Sequence, residues 1–134
     1  MTYGTTVVLA QSFDDAVAAV RVALSDQGFG VLTEIDVQAT MKAKLDVDLP
    51  PYLILGACNP SLAYRVLQAE PSVGLLLPCN VIIRQTDQGT VAEAIDPMTM
   101  VSISGNPALQ PVDEVAGRLN VVLAALAAVA APTT

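Results

Sequence analysis

The sequence predicts an α+β fold of two layers, with a mostly antiparallel sheet and helices packed on one of its faces. Three observations lead to this prediction. Short β-branched runs alternate with helical patterns in the first half of the chain. The turn sequence Asp87-Gln88-Gly89 separates two strand-like runs in the second half, which indicates a hairpin. A long apolar helix follows at the end, and such a helix needs cover from a sheet or a partner.

Length and composition predict a single domain, residues 1–134. A chain of 134 residues buries roughly two-thirds of its surface on folding, so it needs no disulfide or metal to hold it together. Apolar residues make up 53% and charged residues 14%, and this low charge is unusual for a protein that stays monomeric. We therefore expect a homodimer, in which a second copy covers part of the apolar surface.

The charge pattern argues against nucleic acid and against anionic membrane surfaces as partners. The net charge is −7, and the six basic residues are scattered without forming a patch. The N-terminal sequence has no positively charged region before an apolar core, so no signal peptide is expected. The apolar run from Leu119 to Ala131 is too short to span a bilayer. These features predict a cytoplasmic protein, whose thiols would stay reduced.

Histidine is absent from the sequence, and this excludes several kinds of site. Ser-His-Asp and Cys-His pairs, histidine-ligated haem and the common catalytic zinc sites all require it. Two cysteines cannot form a four-cysteine zinc site within one subunit. The sequence also lacks the glycine-rich phosphate-binding motifs.

The first half of the chain reads as strand, helix, strand, helix. Thr5–Ala10 is a β-branched strand, and Ser12 is typical of the N-cap of a helix that ends at Gly28. Phe29–Ile35 is the second strand, and Asp36 is a plausible N-cap for a short helix. The apolar faces of the two helices are expected at Phe13, Val17, Val20 and Leu24, and at Val37, Met41 and Leu45.

The middle of the chain begins with a predicted strand, Tyr52–Ala57, which directly follows Pro50 and Pro51. Asn59-Pro60 is a strong helix start, and the helix is expected to continue to about Ala69. Val73–Leu77 is a strand-like apolar run that Pro78 bends or interrupts. Beyond Pro78, the chain is expected to continue as a strand over 81–86.

The C-terminal part opens with the second hairpin strand, Thr90–Ile95. The segment from Asp96 to Pro111 is expected to be irregular, because it contains the turn sequence Gly105-Asn106-Pro107. A long helix from Val112 to Ala130 follows. Its apolar stripe is expected at Val115, Leu119, Val122, Leu126 and Val129.

Two segments of similar sequence, LILGACNP and GLLLPCNV, contain the only two cysteines of the chain. Each is an apolar strand-like run that closes on Cys-Asn, at Cys58-Asn59 and at Cys79-Asn80. Cys58 directly precedes a helix N-terminus, where unpaired N–H groups and the helix dipole should favour the thiolate. If the two strands are neighbours, both thiols lie near one edge of the sheet.

Three interpretations of the cysteines stay open. They are small core residues, which is the commonest role of a free cysteine. They form a thiol-based ligand or redox site, with Asn59 and Asn80 as hydrogen-bond partners. They bind a soft metal such as Cu(I), with Met98 or Met100 completing the sulfur set, although no ligand spacing supports a metal and none is predicted. The cofactor is unknown.

Glu34, Lys44 and Tyr64 complete the candidate ligand-binding residues, with Cys58, Cys79, Asn59 and Asn80. Glu34 would border the ligand site at the two cysteines, and Lys44 would reach an anionic group of the ligand. Tyr64 lies one turn into the helix behind Cys58. The more common role of such charged side chains is a solvated surface position.

The runs TEIDV, GACNP, EP and GLLLPCNV together resemble the core of the bacterial and archaeal domain-of-unknown-function family three hundred and two. The resemblance covers nearly the whole chain. It implies a small α+β domain that dimerises, and it implies no activity. Many relatives place a histidine where this chain has Tyr64, which weakens a metal role at that position. The motif carries over onto Glu34, Asp36, Lys44, Cys58, Asn59, Pro60, Glu70, Gly74, Pro78, Cys79 and Asn80.

The leading hypothesis from the sequence is a dimeric, non-enzymatic cytoplasmic domain that binds a small molecule or thiol ligand between Cys58 and Cys79. One alternative is an enzyme that transfers thiol or sulfur groups using Cys58. The other is a structural dimerisation module whose cysteines are buried in the core.

Overall fold

A computed structural model describes residues 3–128. The strands are β1 (Gly4–Leu9), β2 (Gly30–Asp36), β3 (Tyr52–Cys58), β4 (Cys79–Thr86) and β5 (Gly89–Ile95). The α-helices are α1 (Phe13–Asp26), α2 (Val37–Leu45), α3 (Pro60–Ala69), α4 (Met98–Ser104) and α5 (Pro111–Ala127). Two short 3₁₀ helices occupy Pro71–Leu76 and Pro107–Leu109.

The five strands form one sheet in the order β1-β5-β4-β3-β2, and every neighbouring pair is antiparallel. Helices α1 and α5 pack together and contact the β1, β4 and β5 side of the sheet. Along β4, Val81 and Ile83 are fully buried, whereas Ile82 and Arg84 on the opposite face are half-buried. This alternation confirms the predicted α+β fold.

One hydrophobic core joins the sheet to the helices. Helix α5 contributes most to it, because apolar residues recur every three or four positions along its length. Val129, the last residue of the predicted stripe, and Ala130, the predicted end of the helix, lie outside the described residues. The buried residues of α5 are Val112, Val115, Leu119, Val122, Leu123 and Leu126.

Three predicted helix caps are confirmed by their hydrogen bonds. The amide of Asp15 donates to Ser12 Oγ over 3.2 Å at the start of α1. The amide of Ala39 donates to Asp36 Oδ1 over 2.9 Å at the start of α2. The side chain of Asn59 caps α3 in the same way. Each of these side chains satisfies a backbone N–H that has no partner within its own helix.

The prediction of a strand-like conformation for Val73–Leu77 is wrong. The segment forms the 3₁₀ helix Pro71–Leu76, which packs beside α3 rather than in the sheet. Only Val73 is buried in this turn, and Leu75 is 89% exposed. The apolar run is typical of a strand, but Pro71 starts a tight turn instead. Local hydrogen bonds, such as the one from Leu77 N–H to Gly74 O, stabilise this turn.

The expectation of an irregular segment after Asp96 is also wrong in part. Met98–Ser104 forms α4. Asp96 starts this helix, because its Oδ1 accepts a hydrogen bond of 3.0 Å from the amide of Met98. Gly105 ends it with a φ of 65°, a left-handed conformation that favours glycine. The helix is only seven residues long, so its apolar pattern is too short to recognise.

The face of the sheet opposite α1 and α5 carries a polar centre among apolar side chains. Glu93 accepts hydrogen bonds from Arg84 Nε over 2.6 Å and from Thr6 Oγ1 over 2.9 Å. Partial burial opposes the ionisation of Glu93, but these hydrogen bonds outweigh it and hold its pKa below the ordinary value. Val8 and Ile35 on the same face are 57% and 49% exposed.

Gly56 allows β3 to pack closely against Thr33 and Pro78. A Cβ atom at this position would overlap Thr33 Oγ1 and lie 2.8 Å from Pro78 Cγ. Thr33 is able to rotate away, but the proline ring is rigid. A side chain at position 56 therefore forces the strands or the 77–78 segment to move.

We predict that Gly56→Ala lowers the free energy of unfolding by about 1–3 kcal/mol, through overpacking. The control is Gly117→Ala in α5, where no atom lies within 4 Å of the added Cβ. That change should raise the free energy of unfolding by up to about 1 kcal/mol, because alanine favours a helix. Urea unfolding measures both, and equal stability of the two variants would contradict the prediction.

Candidate functional site

The pairing of β3 with β4 brings the two cysteines together at one end of the sheet. Ala57 pairs directly with Cys79, so Cys58 lies one residue beyond the partner of Cys79. The two segments are nevertheless not equivalent. Cys58 is the last residue of β3, whereas Cys79 is the first residue of β4. The sequence similarity of the two segments therefore does not correspond to a structural repeat.

Both cysteines line an apolar cavity of about 300 Å³. Its walls come from the ends of β3 and β4, from α3, from the 77–78 segment, and from α4 and α5. No lining side chain carries a charge at neutral pH when the thiols are protonated. Besides Cys58, Cys79 and Asn59, the lining residues are Phe29, Leu32, Ala57, Ala63, Val66, Leu67, Leu77, Pro78, Pro97, Met100, Val112 and Val115.

The helices place their side chains at the cavity through their apolar spacing. Ala63, Val66 and Leu67 recur at the three- and four-residue intervals that form one face of α3. Val112 and Val115 stand on the first turns of α5 at the same spacing. The walls are therefore formed by side chains that also pack in the core, and the cavity is continuous with the core.

Burial raises the pKa of both thiols. Burial alone raises the pKa of Cys58, which lies half-buried at the cavity. Burial, and after it the charge of Cys58, raise the pKa of Cys79 to about 11. The raised pKa of Cys58 runs against the expectation that the helix N-terminus favours a thiolate there, because loss of water around the thiol favours its neutral form. Both thiols are neutral at pH 7.

Asn59 and Arg118 tie α3 and α5 to the end of α1 behind the cavity. Its Oδ1 accepts hydrogen bonds from the amide of Leu62 and the hydroxyl of Ser61, over 3.4 Å and 3.2 Å. Its Nδ2 donates to the carbonyl oxygen of Gln27 over 3.5 Å, just past the end of α1. Arg118 Nη1 on α5 donates to the same carbonyl over 3.1 Å. Asn59 is 7% exposed, and its side-chain oxygen and nitrogen each have a hydrogen-bond partner within the protein.

Four of the candidate residues do not line the cavity. Asn80 is exposed and borders the groove on the opposite face of the sheet, because successive strand residues point to opposite faces. Glu34 is exposed and forms an ion pair with Arg21 on α1. Lys44 is exposed on α2, and Tyr64 is 62% exposed on the outer side of α3.

Sequence reasoning missed two residues of this region. Met100 was considered only as a metal ligand in an irregular segment, but it lies on α4, is 3% exposed and lines the cavity. Arg118 is one of the six basic residues that the sequence shows as scattered, and its guanidinium donates a hydrogen bond to the Gln27 carbonyl. No local pattern indicates either position, since both depend on how α4 and α5 pack against α1 and α3.

The residues from 5 to 126 match the model of one family, described as a domain of unknown function, DUF302. The chain belongs to the DUF302 family. The match confirms the resemblance found in the TEIDV, GACNP and GLLLPCNV runs, and it includes both cysteine segments. No curated protein matches the chain.

A crystal structure of an uncharacterised conserved DUF302 protein from Bacillus stearothermophilus has a similar fold. It superposes with a TM-score of 0.87 at 28% sequence identity, over 94% of this chain and 99% of that chain. The similarity therefore extends over both layers of the domain. Within residues 3–128, no helix is long and apolar enough to cross a membrane.

We predict that the two cysteines of the folded protein differ in their rate of alkylation by iodoacetamide. Cys58 should react first, because it is only half-buried, and Cys79 should react more slowly, because it is 5% exposed and its pKa is about 11. Since the thiolate is the nucleophile, the rate at Cys79 should keep rising with pH toward that value. Peptide mass spectrometry measures both rates.

The control for this prediction is the protein unfolded in urea, where the two cysteines should react at similar rates. A Cys79 that reacts as fast as Cys58 in the folded protein would contradict the arrangement. If neither cysteine reacts until urea is added, the cavity is closed to reagents and both cysteines serve only as core residues.

Proposed function

We propose that this protein binds a small, largely apolar molecule in the cavity between β3, α3 and α4. The observation that supports the proposal is the uncharged cavity of about 300 Å³, which both cysteines line. This volume is at the lower end of the about 300–1,000 Å³ typical of ligand pockets.

The lining restricts the chemistry of the ligand. A charged molecule would lose its hydration without gaining a charged partner, which is unfavourable in an apolar site. The polar atoms of Asn59 are already used by Leu62, Ser61 and Gln27. Apart from Asn59, the polar side-chain groups of the lining are the two neutral thiols, and they form only weak hydrogen bonds. An uncharged aromatic or aliphatic molecule fits these conditions best.

The raised thiol pKa values count against the alternative of a thiol-dependent enzyme. Nucleophilic cysteines normally have a lowered pKa, produced by a nearby cation, a histidine or a helix N-terminus. Burial acts in the opposite direction at Cys58 and Cys79. We therefore favour binding over catalysis, in a cytoplasmic setting where free thiols persist.

We further propose that two copies associate through the face of the sheet that carries Thr6, Ile82, Arg84 and Glu93. A groove of about 690 Å³ crosses this face, and its charged centre is the Arg84–Glu93 ion pair. Because this pair has no net charge, the face meets a copy of itself without the repulsion that the overall charge of −7 would cause elsewhere. The structural dimerisation module remains the rival if the cavity binds nothing.

We expect the uncharged fluorophore N-phenyl-1-naphthylamine to bind in the cavity and to increase in fluorescence. Ala63→Phe should abolish this signal, because the added ring fills the cavity from α3. The matched control is Ala69→Phe, which places the same ring on an exposed residue at the end of the same helix. Equal fluorescence from both variants would show that the probe binds elsewhere and would contradict the proposal.

The dimer is tested by placing a charge on the open sheet face. Val8→Lys should convert the dimer to a monomer in analytical ultracentrifugation, because each copy would bring an additional positive charge into the interface. Val22→Lys is the control, since Val22 is 62% exposed on α1, in the other layer. A wild-type protein that sediments as a monomer, or dissociation by Val22→Lys alone, would contradict the proposed interface.

A further inference from the structure

Strand β1 lies at one edge of the sheet, and its outer side is open within residues 3–128. Strand β5 pairs with it on one side only. Thr5 and Thr6 point to opposite faces of the sheet, and both are exposed, so no described element covers this edge from either face. The edge therefore presents backbone groups to solvent, and such groups are able to pair with another strand.

The register identifies which backbone groups of β1 point outward. The amide of Asp96 donates to the carbonyl oxygen of Tyr3, directly opposite, over 2.7 Å. Because hydrogen-bonded and non-hydrogen-bonded pairs alternate along an antiparallel ladder, Gly4, Thr6 and Val8 occupy non-hydrogen-bonded pairs with β5. Their N–H and C=O groups point away from β5, and no turn or loop backbone hydrogen bond within residues 3–128 uses them. These three residues form the free edge of β1.

The free edge of β1 is complementary to a second copy of itself. Its three residues are spaced evenly about Thr6, so a two-fold axis at Thr6 places Gly4 of each copy opposite Val8 of the other. Antiparallel pairing in this register forms about six hydrogen bonds, two at each of the three residue pairs. It also brings together the Thr6 side chains of both copies, a favourable cross-strand pair. No residue of β1 is charged, so two copies meet there without repulsion between like charges.

The other edge of the sheet, β2, is unsuited to such pairing. A β-bulge interrupts the register in the first half of β2, and bulges disrupt an edge. The amide of Gln85 donates to the carbonyl of Pro51, and the alternation that follows across β3 makes Glu34 and Asp36 the outward residues of β2. Two copies paired there would bring these carboxylates together. The free edge of β1 is thus the edge that fits a second copy.

We propose that the free edge of β1 pairs with the same edge of a second copy, which joins two five-stranded sheets into one continuous sheet. The two-fold axis at Thr6 is perpendicular to the sheet, so the helices of both copies lie on the same side. This contact goes beyond the proposed function, because it uses the edge of the sheet and involves neither its open face nor the cavity. Where the edge and the open face both form contacts, the protein assembles beyond two chains.

Amide hydrogen exchange of the wild-type protein, followed residue by residue by NMR, measures the pairing directly. The outward amides of Thr6 and Val8 should be protected from exchange, like the β1 amides that bond to β5. The outward amides of Glu34 and Asp36 on β2 are the internal control and should exchange rapidly. If Thr6 and Val8 exchange as rapidly as the control amides at high protein concentration, the edge is unpaired and the proposal is overturned.

The variant Thr5→Glu separates this contact from the open face of the sheet. Thr5 points to the helix side of β1, whereas Thr6 and Glu93 lie on the open face. In paired copies the two introduced carboxylates would be diagonal neighbours about 7–8 Å apart, and their repulsion should restore rapid exchange at Thr6 and Val8. The matched control is Gln68→Glu, which adds the same charge at an exposed position of α3 and should leave the exchange unchanged.

Analytical ultracentrifugation of the same proteins keeps the two proposed contacts distinct. Wild-type protein and Gln68→Glu should associate beyond two chains as the concentration rises, whereas Thr5→Glu should stop at the dimer. A wild-type dimer that Thr5→Glu converts to a monomer would support the edge contact and remove the open-face contact. If Thr5→Glu associates like Gln68→Glu, the edge contact is overturned and the open-face contact stands. The exchange measurement on wild-type protein decides the edge contact even if Thr5→Glu does not fold.

Discussion

The antiparallel register between β3 and β4 is the constraint on which the candidate site depends. Leu55 and Ala57 on β3, and Val81 and Ile83 on β4, are all buried against the helices. A shift of the pairing by one residue would turn one of these sets to the opposite face, at the cost of its burial. The core therefore sets the register, and the register in turn places Cys79 beside the end of β3 where Cys58 lies.

The cavity follows from the way the chain leaves these two strands. After Cys58 the chain turns directly into α3, and before Cys79 it arrives from the 77–78 segment, so neither strand continues to fill the space. Helices α4 and α5 close the other side with Met100, Val112 and Val115. The Asn59 and Arg118 hydrogen bonds to Gln27 tie this arrangement to the end of α1. The thiols consequently lie in an apolar environment that keeps them protonated.

The two faces of the sheet have different physical roles. One face carries the core under α1 and α5, and its residues on the three central strands, such as Leu55, Ile83 and Ala92, are buried. The other face carries the Arg84–Glu93 pair among apolar side chains that stay partly exposed. Glu93 retains its charge there because hydrogen bonds from Arg84 and Thr6 outweigh the effect of burial on its pKa. The proposed binding cavity and the proposed subunit interface thus use separate parts of the same sheet.

The sequence by itself determined the fold class, most strands and helices, and the caps at Ser12, Asp36 and Asn59, because these depend on periodicity and on contacts within a few residues. It also drew attention to Cys58 and Cys79. It gave wrong predictions for 73–77 and 98–104, because a 3₁₀ helix and a seven-residue α-helix are too short to show a distinct apolar pattern. Only the tertiary structure decided that Asn80, Glu34, Lys44 and Tyr64 lie away from the cavity and that Met100 lines it. It also decided that burial raises the pKa of Cys58, because desolvation depends on every element packed around the thiol.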